Sequence, residues 1–232
     1  MSFRGFNNKT VWLFDLDNTL YPPETMLFDQ IDQRMKKYIS RKLKIPESKA
    51  FKIQKRFYKK YGTTLYGLMQ HYKFNPDEFL DFVHNVKFKK LKKSKKLFTN
   101  IKYLPGRKII YTNSDGRYAK KTLEALGINF LFDDIYDIRK ANYLPKPRAR
   151  PLKKLLENYD IQADNSVYFE DLEKNLKPAH KIGITTVHIG HKYEKNNQSF
   201  IDFRFKTIIE ALDVIKKSFI EEGLHKVSGV SK

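Results

Sequence analysis

The chain has 232 residues, 41% of them hydrophobic, with 18 Phe and 14 Tyr. This argues against a disordered chain and suits one large domain, or a core domain with a smaller insert. Cysteine is absent, which excludes disulfides and thiolate metal sites and fits a reducing compartment. The formal net charge of +20 has three sources open to it: phosphate contacts to nucleic acid, steering of a small anionic substrate, or lysines spread over solvated faces. The third is taken as background, and the second joins it if a phosphate site emerges.

The first element is VWLF between Thr10 and Asp15, expected as a buried strand that Pro22 and Pro23 stop from pairing further. This apolar stretch is too short for a signal-peptide core or a membrane span, so the chain is expected to be soluble and cytoplasmic, without a membrane partner. From Glu24 the period changes. Leu27, Phe28, Ile31, Met35, Tyr38, Ile39 and Leu43 recur at helical spacing, with Asp29 and Asp32 early and Lys36, Lys37, Arg41 and Lys42 late. A second helix is predicted from Pro46 to Tyr61, ended by Gly62, and a short one near Leu65–Tyr72. Asn75-Pro76 opens another. Residues 22–97 therefore read as an all-helical insert. KFKKLKKSKK (87–96) closes it with seven lysines, and Phe88 and Leu91 suggest a solvated helix face beside a hinge rather than a nucleic-acid patch.

Beyond Leu104-Pro105-Gly106 short strands and helices alternate. Strands are predicted at 108–112, 135–138, 166–170, 185–189 and 203–205. Helices are predicted at 116–126, 148–159 and 176–182, with a last one ending at Lys217. This implies an α/β fold: a doubly wound, mostly parallel sheet covered on both faces. The core is expected at 1–21 and 98–217, the cap at 22–97, and a small polar tail at 218–232.

In such a sheet ligands bind beyond the carboxyl ends of the strands. The residues expected there are Asp15, Asp17 and Thr19 after the first strand, then Thr112, Asn113, Ser114 and Asp115 after the second. Glu170 and Asp171 follow the fourth, and Lys146 lies in a Pro-rich loop after the third. Each has a plainer reading. Asp favours turns, Thr and Ser cap helices, and one lysine among 46 basic residues says little. Together they form the inventory of a divalent metal and phosphate site: hard oxygen ligands, hydroxyl and amide donors and one ammonium.

FDLDNTL resembles the first motif of the haloacid dehalogenase superfamily of phosphohydrolases. IIYTNS resembles the second, Lys146 in LPKPRARPL the third, and VYFEDLEKNLKPAHKIGITTVHI the fourth. Order and spacing agree over about residues 10 to 190, and the helical insert resembles the family's cap. The resemblance implies a Mg²⁺-dependent phosphomonoester hydrolase acting through an aspartyl phosphate. Asp15 would be the nucleophile and Asp17 the general acid and base. Asp15, the Asp17 carbonyl and Asp171 would hold Mg²⁺, with Glu170 close by or ligating. Thr112, Asn113 and Lys146 would bind the phosphoryl oxygens. An aspartate at position 17 favours phosphatases and phosphomutases over the metal-free dehalogenases.

DNTLYPP and the cap segment YGTTLYGLMQHY resemble the pyrimidine 5′-nucleotidase branch, although Leu152 stands where that branch often has an aromatic. The implied substrate is a nucleoside 5′-monophosphate such as UMP or CMP. Tyr61 or Tyr66 would stack on the base and Thr63 or Thr64 would read its edge; alternatively these residues only pack within the cap. Two other functions stay open. One is a small sugar-phosphate phosphatase or a mutase of the β-phosphoglucomutase type. The other is a basic nucleic-acid-binding protein on a degenerate hydrolase fold, which the intact set of site residues disfavours. Nothing in the sequence sets the oligomeric state.

Overall fold

The structure, a computed structural model, describes residues 4–190 and 198–221. Six strands form one sheet: β1 (Val11–Phe14), β2 (Arg107–Tyr111), β3 (Asp134–Tyr136), β4 (Ser166–Glu170), β5 (Thr185–Ile189) and β6 (Phe203–Phe205). Their order is β3-β2-β1-β4-β5-β6, and every pairing is parallel. The chain order reverses at β1, so the crevice expected of such a sheet opens beyond the ends of β1, β2 and β4. Phe14 is in register with Ile110 on one side and Phe169 on the other. The next residue, Asp15, is thereby set between Tyr111 and Glu170.

Strands buried on both faces read as continuous apolar runs, and β1 is buried at all four positions. Alternate residues serve the two faces. Trp12, Phe14, Val167 and Phe169 join one core with α5 (Lys95–Tyr103), α6 (Gly116–Leu126) and α9 (Ile208–Glu221). Phe14 stacks on Phe169 at 4.7 Å between ring centroids. Val11, Leu13, Tyr111 and Tyr168 face the other way, against α7 (Ala149–Asn158) and α8 (Glu173–Lys181).

Four helices stand between β1 and α5: α1 (Leu27–Leu43), α2 (Glu47–Tyr61), α3 (Thr64–His71) and α4 (Pro76–Val83). Asn75 caps α4 by accepting from Asp77 and Glu78 amides, and Thr63 caps α3. α1 packs on α2 and α4, and α2 on α3. Gly67 lets α3 approach Phe57 of α2 so closely that a Cβ would stand 2.4 Å from the Phe57 ring.

Several boundaries differ from expectation, among them β3, which ends at Tyr136 rather than 138, and α8, which begins at Glu173 rather than 176. The lysine run is irregular up to Ser94, whose hydroxyl accepts from the Leu97 amide and starts α5 at Lys95. Like charges along a helix face repel, while Leu91 is buried without a helix. The expected end of the insert at 97 therefore falls inside α5, which packs on α9. The last helix runs past Lys217 to Glu221, because Phe219 is buried edge-on to Trp12 at 6.2 Å. The remaining tail, 222–232, lies outside the described residues. No helix among the described residues is long and apolar enough to cross a membrane.

The Gly67 contact gives a stability test. Gly67→Ala forces Phe57 out of its place and is expected to lower unfolding free energy by about 1–3 kcal/mol, an overpacking cost, in urea denaturation. An unchanged midpoint would show that the two cap helices do not need this approach.

Candidate active site

Lys146 is the centre of the crevice. Its side chain is 4% exposed, and the ammonium lies 2.6 Å from Asp15 Oδ1 and 2.7 Å from Glu170 Oε2. It also donates to the Tyr111 carbonyl at 3.1 Å and the Tyr168 hydroxyl at 3.0 Å. Tyr168 in turn donates to Glu170 Oε2 at 2.5 Å. Two residues apart on β4, Tyr168 and Glu170 share a face, which puts both at this ammonium. The Lys146 loop is pinned from β2, since its amide donates to Asn113 Oδ1 at 2.9 Å. It is also pressed from the cap. Gly62, at φ +91°, sits where a Cβ would be 2.7 Å from the Lys146 carbonyl oxygen.

Asp15 Oδ2 accepts from Thr19 at 3.3 Å. Thr112 is buried on the cleft wall, its hydroxyl oxygen accepting from the Ser114 amide at 3.0 Å. Asp15, Glu170 and Asp171 each offer a carboxylate oxygen, all within 4.8 Å of one another. Burial and the Glu170 charge push the Asp15 carboxyl up to about 7, against the pull of Lys146. Burial, with Glu170 and Asp15, pushes Asp171 up to about 10. Burial opposes the Lys146 ammonium and the Glu170 carboxylate alike. The charges of Asp15 and then Glu170 outweigh it at the lysine and raise it, and the Lys146 charge outweighs it at the glutamate and lowers it. Three crowded carboxylates against one ammonium leave surplus negative charge, and the hard oxygen set fits a Mg²⁺-sized dication.

The Asp17 side chain stands apart from this group. Oδ1 accepts from the Tyr21 hydroxyl and, at 2.7 Å, from the Tyr118 hydroxyl; Oδ2 accepts from Ser114 Oγ at 2.7 Å. Tyr21 lies four residues on, in a turn where the Leu20 amide bonds the Leu16 carbonyl. Tyr118 belongs to α6, and His84, just past α4, stacks on its ring at 4.6 Å and 20°. Burial lowers the His84 pKa to about 4, leaving the ring neutral at neutral pH. Sequence reasoning missed Tyr118, Tyr168 and His84. Only Tyr168 left a signal, its alternation with Glu170.

The cap closes a cleft of about 270 Å³ over these groups. Thr63 and Thr64 line it, together with Phe28, Tyr58 and Lys55. Both threonine hydroxyls also serve the cap: Thr63 accepts from the Tyr66 amide and Thr64 donates to the Gln54 carbonyl. Tyr61 and Tyr66 are not part of the cleft lining, which is the packing alternative that the sequence left open beside base stacking. The Tyr61 hydroxyl meets His71 at 2.5 Å, its carbonyl accepts from Arg148, and the Arg148 guanidinium covers Tyr66 at 4.2 Å. On the far side Arg117 and Arg139 of the core pair with Asp81 and Asp77 of α4, and Tyr143 donates to Asp77 at 2.6 Å. Lys174, early in α8, enters the cleft above the Tyr58 ring at 4.4 Å.

A family profile described as haloacid dehalogenase-like hydrolase matches residues 12–189. The chain belongs to the haloacid dehalogenase-like hydrolases. A glyceraldehyde 3-phosphate phosphatase of Methanocaldococcus jannaschii is 27% identical, over 88% of this chain and 96% of the relative. A phosphatase of this superfamily from Thermococcus onnurineus superposes with a TM-score of 0.61 at 19% identity, over 89% of this chain and 97% of its own. A putative hydrolase of the superfamily from Bacillus subtilis, solved with bound magnesium, also gives 0.61, at 14% identity over 89% and 98%. Both solved structures share the fold of this chain.

The carboxylate crowding fixes the sign of a pH effect. Asp15 and Asp171 hold protons more tightly folded than unfolded, where aspartate titrates near about 4. Without a cation the stability they contribute is complete below that value. It is lost as pH rises through about 7 for Asp15 and about 10 for Asp171. A cation bound there would take the place of the protons. Mg²⁺ is therefore expected to raise the melting temperature more at pH 8 than at pH 5, as thermal unfolding with and without EDTA would read. An equal or reversed gain would remove the cation from this cluster.

Proposed function

We propose that this hydrolase is a Mg²⁺-dependent phosphomonoesterase that forms an aspartyl phosphate on Asp15. The observation that carries the reading is the Lys146 ammonium, buried and bonded at once to Asp15 and Glu170 on the sheet rim. A phosphoryl group entering beside Asp15 meets this ammonium and the Thr112 hydroxyl, while Asn113 holds the Lys146 loop in place. Asp15, Glu170 and Asp171, with the Asp17 carbonyl, would hold Mg²⁺, which when bound neutralises charge on the phosphoryl oxygens.

In the first step a carboxylate oxygen of Asp15 attacks phosphorus. The bond to the leaving oxygen breaks, and Asp17 gives that oxygen its proton. In the second step water attacks the phosphorus of the aspartyl phosphate, Asp17 takes a proton from the water, and Asp15 and inorganic phosphate are released. The cap keeps bulk water away from both steps.

The substrate favoured is a small sugar or polyol phosphate. A cleft of about 270 Å³ lies at the small end of ligand sites, and the Methanocaldococcus relative carries the name of a triose-phosphate phosphatase. A second reading keeps the nucleoside 5′-monophosphate of the pyrimidine 5′-nucleotidase branch. It is supported by DNTLYPP and by Phe28 and Tyr58, two partly exposed rings on the cleft wall. These replace Tyr61 and Tyr66 as the rings on which a base would stack.

Release of phosphate from glyceraldehyde 3-phosphate, glycerol phosphate, glucose 1-phosphate, UMP and CMP, with Mg²⁺ and with EDTA, separates the readings. Triose or polyol esters are expected to give the highest kcat/KM, with EDTA abolishing turnover. UMP or CMP ahead of them would establish the nucleotidase, and glucose phosphate interconversion without phosphate release a mutase. Asp15→Asn removes the nucleophile and is expected to lower kcat by more than about a thousandfold. Retained activity would overturn the mechanism.

A further inference from the structure

Asp17 is held in an unusual way for a group that must move a proton. Its neighbour Asp15 is surrounded by charge, whereas the Asp17 carboxylate is caged by three hydroxyls, two of them on tyrosines with under 4% exposure. Tyr21 and Tyr118 both reach the same oxygen and lie 3.1 Å from each other, so the three oxygens close a triangle. A tyrosine hydroxyl donates or accepts by rotating its hydrogen. With Asp17 ionised both phenols point at it. With a proton on Asp17, one phenol accepts or the phenols bond to each other, and the triangle stays closed. The cage thus holds the carboxylate in one direction through both halves of the reaction.

The outer wall of the cage is the cap. His84 stacks on the Tyr118 ring, Phe88 packs beside it at 6.0 Å, and His84 itself lines the cleft. One residue before Tyr118, Arg117 pairs with Asp81 of α4, tying the same helix turn to the cap. The cap's His84 thus lies on the ring whose hydroxyl reaches Asp17.

We infer that Tyr118 and Tyr21 are positioning residues for Asp17, and that His84 couples them to cap closure so that the proton-transfer group is aligned only over a covered substrate. The inference rests on the phosphatase reading above. It acts on the two proton transfers of Asp17 and not on the nucleophile, since neither tyrosine touches Asp15 or Lys146 among the described contacts.

The test uses the full chain with Mg²⁺ and two esters that differ by one nitro group, phenyl phosphate and p-nitrophenyl phosphate. kcat/KM covers steps only through departure of the leaving group, so the later attack of water drops out. Nitrophenolate leaves readily without a proton, while phenolate depends more on one. Tyr118→Phe is expected to lower kcat/KM for phenyl phosphate by about tenfold and for p-nitrophenyl phosphate by no more than about twofold. Tyr21→Phe and His84→Leu are expected to change the ratio in the same direction, and they carry the test if circular dichroism shows Tyr118→Phe unfolded. An equal fall on both esters in the folded variants, or no fall on either, overturns the clamp. Wild-type protein that releases phosphate from neither of these esters nor from the triose, polyol, sugar and nucleotide esters named above overturns the phosphatase reading instead.

Discussion

The rest of the structure depends on one buried ammonium. Lys146 neutralises Asp15 and Glu170 at hydrogen-bond distance, in a place where an unpaired charge would not be tolerated. Breaking a buried pair by removing one partner costs about 3–5 kcal/mol, so this contact is structural before it is chemical. The strand register brings the carboxylates together, because β1 lies between β2 and β4 and ends one residue before Asp15. The lysine comes from a loop and needs other anchors. Asn113 holds its amide, and Gly62 of the cap rests against its carbonyl. Core and cap therefore meet at the residue that balances the site.

That meeting explains the division of the chain. The core supplies fixed charge at strand ends, where backbone pairing holds positions to fractions of an ångström. The cap supplies packing and is tied down on both flanks. Arg148 reaches Tyr61 and Tyr66 on one side, and Asp77 and Asp81 face Arg139 and Arg117 on the other. Pairs as exposed as Arg117–Asp81 contribute little each. Such ties suit a lid that opens: they set its resting place without locking it.

The core of the site was legible because its residues follow apolar strands, and a parallel sheet gathers strand ends at one rim. Asp15, Thr112, Glu170 and Asp171 needed only the strand order to be placed on one rim, whereas Lys146 lies in a loop that Asn113 and the cap hold there. The cap was legible as helices but not as a surface. Tyr61 and Tyr66 carry the same spacing whether they face a ligand or a neighbouring helix, and tertiary packing decided for Arg148 and His71. The lysine run misled for a related reason. Phe88 and Leu91 fit a helical period, yet Ser94 offers the only cap there and α5 begins at Lys95. Tyr118 left no sign, since its role depends on α6 facing a turn about a hundred residues away in sequence.

Asp15 and Asp17 are two residues apart and yet live in opposite chemistries. The pleat and the turn after β1 send one carboxylate toward Lys146 and the other toward hydroxyls. A nucleophile toward phosphorus gains from a fixed counter-charge that aims it and opposes its protonation. A proton carrier would be hindered by the same ammonium, which would oppose its taking up a proton. Hydroxyls avoid this, since they orient a carboxylate without imposing a charge and can exchange donor for acceptor. Tyr21, which in the sequence hinted only at substrate, thus serves the step that every phosphate ester shares. Choice among esters is left to the cap wall of the cleft.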